Sequence, residues 1–342
     1  MTELRFEDVT VRYGSRRSGF TAVDGVHLTV PAGEIVGLVG ESGSGKSTLA
    51  RAAVGLLPLH GGRILLGGKP LRQRTGGTRP VQMVFQDPYA SLDPRMTIGA
   101  SVAETMPRRR AGGTRRIDRR QEVSALLERV GLAPDRAAIY PAQLSGGQRQ
   151  RVAIARALAA GPEVIVADEI TLALDVSVQG TVLNLVRDLQ RDLGTSMLFI
   201  SHNLAAVRYV ASSIAVMYLG RIVEHGPTEQ VLADPQHPYT RDLLAAVPDA
   251  RHTLADEEDE PTVRAAHDAE PADPHHPPTG CRYHPRCPVG PLILTGRDVC
   301  RTTDPGRQRP HHAACHFPGE PVALPTPAGA SLRTHEQGDT AP

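Results

Sequence analysis

Neither sign of charge prevails in this sequence: 38 Lys and Arg stand against 37 Asp and Glu, a formal net charge of +1. No chain-wide field draws it to nucleic acid or to an anionic membrane, which disfavours a whole-surface polyanion binder. Long hydrophobic runs are missing too. The longest apolar stretches, such as IVGLVG from Ile35 and SMLFI from Ser196, fall far short of the roughly 20 residues that cross a bilayer. The start MTELRFEDVT carries no basic and apolar leader, so a cytosolic protein is the expectation. Cysteine is scarce: four residues, all between Cys281 and Cys315, cannot staple a chain of 342 residues by disulfides. A reducing compartment would keep them as thiols. Lysine is scarcer still, with Lys46 and Lys69 alone beside 36 arginines.

What is present suits a folded soluble chain. Hydrophobic residues make up 40% and charged residues 22%, while 33 Gly and 29 Pro mark many loops. The length allows one large domain, or one domain with an appendage. From residue 1 to 247, strand-like and helix-like patterns take turns: LRFEDVTVRY alternates, EIVGLVG reads as a buried strand and STLARAAVGLL as a helix. VQMVF, EVIVAD and SMLFIS repeat the strand theme, with the helical VQGTVLNLVRDLQRDL and LAAVRYVA between and after them. Strands separated by helices predict an α/β fold with a mainly parallel sheet covered by helices. Beyond Pro248 the composition changes. Residues 248–280 read as an acidic, Pro-rich linker, 281–317 as a Cys-rich extension and 318–342 as a disordered tail.

Gly40-Glu41-Ser42-Gly43-Ser44-Gly45-Lys46-Ser47 fits G-x-x-x-x-G-K-[ST], directly after a strand and before a helix that continues with Thr48. The competing reading, a chance Gly-rich turn, does not ask for those flanking elements. Glycines let backbone amides face phosphate, the helix start adds its positive end, Lys46 reaches the β- and γ-phosphates and Ser47 takes Mg²⁺. The lysine shortage supports this: a compact ammonium threads between phosphates where a planar guanidinium does not. Val164-Ile165-Val166-Ala167-Asp168-Glu169 is an apolar strand ending in two acids, with Asp168 suited to the Mg²⁺ shell and Glu169 to polarising water. Two acids that merely end a strand at the surface are the bland alternative.

Leu144-Ser145-Gly146-Gly147-Gln148 resembles the signature pentapeptide of the ATP-binding-cassette (ABC) ATPases. The resemblance implies an ABC-type P-loop nucleotide-binding domain with a helical subdomain. In that family, Ser145, the Gly146 and Gly147 amides and Gln148 would meet the ATP held by an opposite subunit, in a head-to-tail dimer. It further implies that Tyr13 stacks on adenine, Gln86 reaches Mg²⁺ and the attacking water, Asp175 lies on the loop crossing to the partner and His202 contacts the γ-phosphate. MYLGRIVEHGPTEQVLADPQHPYTRDLLAAVP is similar to the C-terminal segment of oligopeptide and dipeptide permease ATPases, a group that includes nickel importers. VGESGSGKSTLAR and FQDPYASLDPRMTIG resemble the second of the two paired ATPases in those permeases.

This resemblance implies an ATPase at the cytoplasmic membrane face, energising import of peptides or a related small solute. Its implied partners are a paralogous ATPase or a second copy, two permease subunits and an extracytoplasmic binding protein. The segment from Gln86 to about Met106 would pass the motion to the permease. A soluble ABC ATPase acting on nucleic acid or ribosomes is the alternative, though it usually carries two cassettes or a long coiled insertion. The chain departs from the family pattern at Ile170 and Leu172, where Pro and Ser are usual, and at Asn203, where an acid is usual. Two apolar residues beside Glu169 are expected to disturb the loop leading to Asp175.

Cys281, Cys287, Cys300 and Cys315 are spaced by 5, 12 and 14 residues, with His284, His311, His312 and His316 among them. All-thiol sets suit an iron–sulfur cluster or zinc. GCRYHPRCP resembles the segment of dipeptide permease ATPases that in some members holds a four-iron cluster, so a [4Fe-4S] cluster is expected ahead of Zn²⁺. Seven arginines lie in the thirteen residues from Arg108 to Arg120; without accompanying aromatics they read as a solvated surface rather than a phosphate-binding patch.

Overall fold

The computed structural model describes residues 2–14, 19–71, 79–107, 118–246, 272–306 and 313–320. Most of the 248–280 linker, the 318–342 tail beyond Glu320 and the arginine run before Asp118 lie outside the described residues. Strands β1 (Leu4–Tyr13) and β2 (Phe20–Val30) pair antiparallel, with Leu4 opposite Val30 and Tyr13 opposite Phe20. The alternation of β1, shifted by one residue between Phe6 and Val9 where Asp8 takes φ +53, buries Leu4, Phe6, Val9 and Val11 on one side. β3 (Ile35–Val39) is buried throughout, and the P-loop then leads into α1 (Lys46–Ala53). β4 (Gly61–Leu66) and the short β5 (Lys69–Pro70) complete a four-stranded antiparallel sheet in the order β2-β1-β4-β5.

After β6 (Val81–Val84), the helices α2 (Ile98–Glu104) and α3 (Arg119–Arg129) form with α4 (Gly146–Ala159) a helical layer. The chain returns through β7 (Val164–Asp168), α5 (Val176–Leu193), β8 (Ser196–Ile200), α6 (Leu204–Val210), β9 (Ser213–Tyr218) and β10 (Arg221–Pro227). Helices α7 (Thr228–Ala233) and α8 (Pro238–Ala245) follow, and a short α9 (Val299–Thr302) lies in the Cys-rich segment. The second sheet has the order β10-β9-β3-β8-β7-β6; its pairs are parallel except β10 on β9. The predicted α/β architecture is therefore present, with the antiparallel sheet added on one side. Among the described residues, no helix is long and apolar enough to cross a membrane.

The period of two decides which core each strand residue joins. Val164, Val166, Leu198 and Ile200 point into the cluster shared with α1 and the antiparallel sheet. Ile165, Ala167, Met197 and Phe199 point into the cluster shared with α4, α5 and α6. Both faces of the central sheet are thus covered, which is why these strands read as unbroken apolar runs. Truncating one such residue, as in Leu198→Ala, would cost about 2–5 kcal/mol. Ile170 joins the helical-side cluster at 2% exposure, whereas Leu172 is 45% exposed. The two family departures therefore sit in different environments.

The Cys-rich segment packs on the ATPase unit rather than standing apart from it. Cys281, Tyr283, Cys287, Val289 and Cys300 belong to the same buried cluster as Tyr218 and Tyr239. The Tyr283 ring centroid lies 5.3 Å from that of Tyr218 and 5.4 Å from that of Tyr239. The Ala314 N–H donates to the Val223 carbonyl at 2.7 Å, tying the segment's far end to β10. Tyr283 and Val289 supply apolar area that becomes useful only against the surface of the ATPase unit.

Candidate functional site

Parallel strands deliver their carboxyl ends to one edge of the sheet, and the order β3-β8-β7-β6 sets four motifs side by side there. The P-loop follows β3, His202 lies two residues beyond β8, Asp168 ends β7 and Gln86 lies two residues beyond β6. Two glycines make the loop's tight path possible. A Cβ on Gly40 (φ +151) would stand 2.1 Å from the Met217 carbonyl oxygen, and one on Gly45 (φ +106) 2.4 Å from that of Ala22. Both positions exclude a side chain.

Lys46 is 4% exposed. Its Nζ donates to the Gly40 and Glu41 carbonyls at 2.8 Å each and reaches Ser44 Oγ at 3.3 Å. Burial lowers its pKa, while the charges of Glu169, Asp168 and Glu41 act in the opposite direction. Ser47 Oγ donates to Asp168 Oδ1 at 3.1 Å, and Asp168 is 3% exposed. Burial raises the Asp168 pKa, an effect partly offset by the Ser47 hydrogen bond. A buried carboxylate beside a hydroxyl, with its charged form disfavoured, is an arrangement that a dication would satisfy.

Glu169 takes φ +47, a conformation uncommon for a residue with a side chain. Its N–H donates to the Ile200 carbonyl at 2.9 Å, anchoring the turn to β8. Its carboxylate lies 3.5 Å from His202 Nδ1. Strain of this kind persists where surrounding structure enforces it, often at functional sites. Asn203 caps α6 by accepting from the Ala205 and Ala206 amides at 3.0 and 3.2 Å, a role the usual acid would also fill.

Tyr13 stands on the other side of the loop, its hydroxyl 3.2 Å from Thr48 Oγ1. Its ring stacks on Phe20 at 5.5 Å, so the two aromatics form a pair. Sequence reasoning missed Phe20, which the pairing of β1 with β2 sets opposite Tyr13. Gln86 is exposed, one strand away from Asp168.

The signature opens α4. Ser145 Oγ accepts the Gln148 N–H at 3.3 Å while Gln148 Oε1 accepts the Ser145 N–H at 3.1 Å, a capping box. Gly146 and Gly147 form the first turn, and a Cβ on Gly147 would stand 2.4 Å from Val178 on α5. Asp175 is the exposed residue before α5, next to Val176 at 85% exposure.

The four cysteines are free and buried. Burial, followed by the neighbouring thiols, pushes Cys281 up to about 12; burial also pushes Cys315 up to about 11 and raises Cys287 and Cys300. His284 Nδ1 lies 2.8 Å from the Cys281 carbonyl and His316 Nε2 2.8 Å from that of Thr303. His311 and His312 lie outside the described residues. Among the described residues no group of three or more His, Cys, Asp and Glu stands ready to hold a metal ion.

Residues 23–172 match the family described as ABC transporter, and residues 223–290 match the oligopeptide/dipeptide transporter C-terminal region. The chain is 45% identical over 304 residues to a peptide import ATP-binding protein of Brucella abortus (strain 2308), covering 86% of each. It is 45% identical over 298 residues to the di/tripeptide transport ATP-binding protein DppF of Pseudomonas aeruginosa (strain UCBPP-PA14), covering 84% of this chain and 90% of that one. The glutathione import ATP-binding protein GsiA of Escherichia coli (strain K12) is 53% identical over 232 residues, which is 66% of this chain and 37% of GsiA. Among solved structures, the ATP-binding cassette MJ0796 in a dimeric post-hydrolysis state bound to ADP and Pi superposes with a TM-score of 0.58 at 27% identity, over 66% of this chain and 98% of that one. The chain therefore belongs to the ATP-binding subunits of ABC transporters, in the branch that carries the oligopeptide/dipeptide transporter C-terminal region.

Proposed function

We propose that this chain binds and hydrolyses Mg-ATP to drive uptake of peptides, or a related small solute, through separate membrane subunits. The observation that carries the reading is the convergence of Lys46, the Ser47–Asp168 pair and the Glu169–His202 pair at one edge of the sheet, in a chain similar to peptide import ATPases. In this mechanism Lys46 and the loop amides of Ser42 to Ser47 bind the phosphates, and Tyr13 with Phe20 supports the adenine. Ser47, Asp168 and Gln86 would hold Mg²⁺, which supplies charge neutralisation at the β- and γ-oxygens. Glu169 polarises a water aimed at the γ-phosphorus and draws its proton as the bond to the β-phosphate breaks. His202, held beside Glu169, orients the γ-phosphate.

Ser145, Gly146, Gly147 and Gln148 present donors to a nucleotide on another subunit, and Asp175 faces that subunit. A paralogous ATPase is the preferred partner, with two permease subunits and an extracytoplasmic binding protein completing the system at the cytoplasmic membrane face. For the four cysteines the proposed role is an all-thiol soft-metal site, with an iron–sulfur cluster ahead of zinc. Its support is the soft donor chemistry of four buried thiols in one segment; as they stand, the described side chains form no group of three that could hold a metal ion.

The experiment is to isolate the tagged chain from native membranes without oxygen. Two permease subunits, a second ATPase and solute-stimulated ATP hydrolysis are expected, together with iron and sulfide. Co-isolation with ribosomes or nucleic acid, and no permease, would replace the import reading. A colourless preparation with one equivalent of zinc would replace the cluster.

A further inference from the structure

The P-loop is gripped from outside its own motif. Tyr239, in the His237-Pro238-Tyr239-Thr240 turn that opens α8, is 1% exposed, and its phenol oxygen accepts the Glu41 N–H at 2.8 Å. The Arg286 side chain, one residue before Cys287, is 17% exposed, and its Nη1 lies 3.2 and 3.4 Å from the two Glu41 carboxylate oxygens. The Glu41 carbonyl accepts Lys46 Nζ. Amide, carboxylate and carbonyl of one loop residue are thus all engaged: two by the C-terminal segment, the third by the ammonium of the loop itself. A second grip lies alongside. Arg282 donates to the Leu219 carbonyl, and the N–H of the next residue, Gly220, donates to the Ser44 carbonyl at 2.8 Å.

A loop with three glycines among its first six residues has little stiffness of its own, and ordering it costs backbone entropy at every position. Phosphate binding also requires Lys46 to turn N–H bonds from loop carbonyls toward the ligand, so the position of the Glu41 carbonyl sets where that ammonium waits. Preorganising the loop from outside removes part of this cost before the ligand arrives. Tyr239 suits the task because its ring is wedged against Tyr218 at 4.6 Å and Tyr283 at 5.4 Å, which leaves its oxygen a fixed point.

We propose that Tyr239 and Arg286 are positioning residues of the ATP site: acting through Glu41, they hold the P-loop so that Lys46 is presented to the β- and γ-phosphates. This rests on the reading of Lys46 as the phosphate-binding ammonium. The C-terminal segment is then a working part of the nucleotide site, because Arg286 is carried on the stretch between Cys281 and Cys287.

The test measures affinity of the purified full chain for a fluorescent ATP analogue with Mg²⁺, alongside the thermal midpoint. Tyr239→Phe keeps the ring packing and removes only the acceptor; it should weaken binding about 3- to 10-fold, the equivalent of one hydrogen bond. Arg286→Gln should do the same, and Arg286→Lys, which keeps the charge but not the fork, should recover part of the loss. If Arg286 acts through Glu41, the double variant Glu41→Gln, Arg286→Gln should bind no more weakly than the worse single variant. A purely structural Arg286 would instead give losses that multiply and follow the thermal midpoint. Lys46→Ala is the control. Its loss of binding together with wild-type affinity in Tyr239→Phe and Arg286→Gln would overturn the positioning role alone. Wild-type affinity in Lys46→Ala would overturn the phosphate reading, and this inference with it.

Discussion

At the P-loop, Lys46, Ser47, Asp168, Glu169 and His202 find their neighbours within one chain; at the signature, Ser145 and Gln148 cap each other's amides while nearby Leu172 and Val176 face outward. The first arrangement is assembled before any partner arrives. The second is a surface with donors and apolar side chains, which the proposed function completes with a nucleotide on another subunit. Binding of nucleotide and its hydrolysis should therefore separate, the former belonging to the single chain and the latter to the assembly.

The largest test of that separation is at the P-loop. Lys46→Ala should lower nucleotide affinity of the single chain by at least ~10²-fold, since a buried charge partner for phosphate is removed. Glu169→Gln should keep that affinity, yet lower turnover of the assembled transporter by at least ~10²-fold. Near-normal turnover would take Glu169 out of the water-activating role. Next come the two family departures, which differ as the two regions do. Ile170→Ala should cost about 2–5 kcal/mol in urea unfolding because it opens a cavity, and Leu172→Ser should stay within about 0.5 kcal/mol because it is exposed. Equal effects would show that Leu172 is not the surface residue its exposure indicates. The sequence expectation that both disturb the loop leading to Asp175 thus concerns two different environments, a core position at Ile170 and an exposed one at Leu172.

At the signature, Ser145→Ala should lower turnover of the assembly by roughly 10-fold, at about 1 kcal/mol of helix-cap stability. Affinity of the single chain for nucleotide should stay unchanged. A parallel fall in single-chain affinity would erase the distinction between the two regions.

A last effect, on stability alone, is expected in acid. His237 is 1% exposed, caps α8 by accepting the Tyr239 N–H on Nδ1 at 3.1 Å, and is held by burial at a pKa of about 3 instead of 6.5. Below pH 6.5 the unfolded chain takes up a proton that the folded chain refuses until about pH 3, so this residue's contribution to stability falls as pH drops through that window. The slope is about 1.4 kcal/mol per pH unit. His237→Asn retains a capping side chain and removes the titration, so its urea midpoint should fall less between pH 6.5 and pH 5 than that of the parent. Identical pH profiles would show that His237 is not the group responsible.

The parts of the site that could be read from sequence are those with several residue types at fixed, short spacing: Gly40 to Ser47, Val164 to Glu169 and Leu144 to Gln148. Each motif also joins strand to helix or opens a helix, and the apolar periods around it said which. The grip of Tyr239 and Arg286 on Glu41 left no such trace, because residues 41, 239 and 286 meet only through tertiary packing. The same holds for the Cys-rich segment. Its prolines and charges are visible in any window of sequence, whereas the burial of Tyr283 depends on Tyr218 and Tyr239, which lie far away along the chain. Strand β10 was hidden for a related reason: RIVEHGP buries the adjacent Val223 and Glu224 and so shows no alternation, it ends in glycine and proline, and it holds its place by pairing with β9.

The near absence of lysine has a practical consequence in covalent labelling. An acylating reagent meets two side-chain amines: Lys69, exposed on β5, and Lys46, 4% exposed beneath the phosphate loop. Lys69 should acylate quickly and serve as an internal standard on the same polypeptide. Lys46 should acylate slowly, at a rate set by how often the loop opens, and nucleotide should slow it further. The ratio of the two adducts in a peptide digest would then report occupancy of the ATP site in unpurified membranes, with no dye, tag or engineered residue.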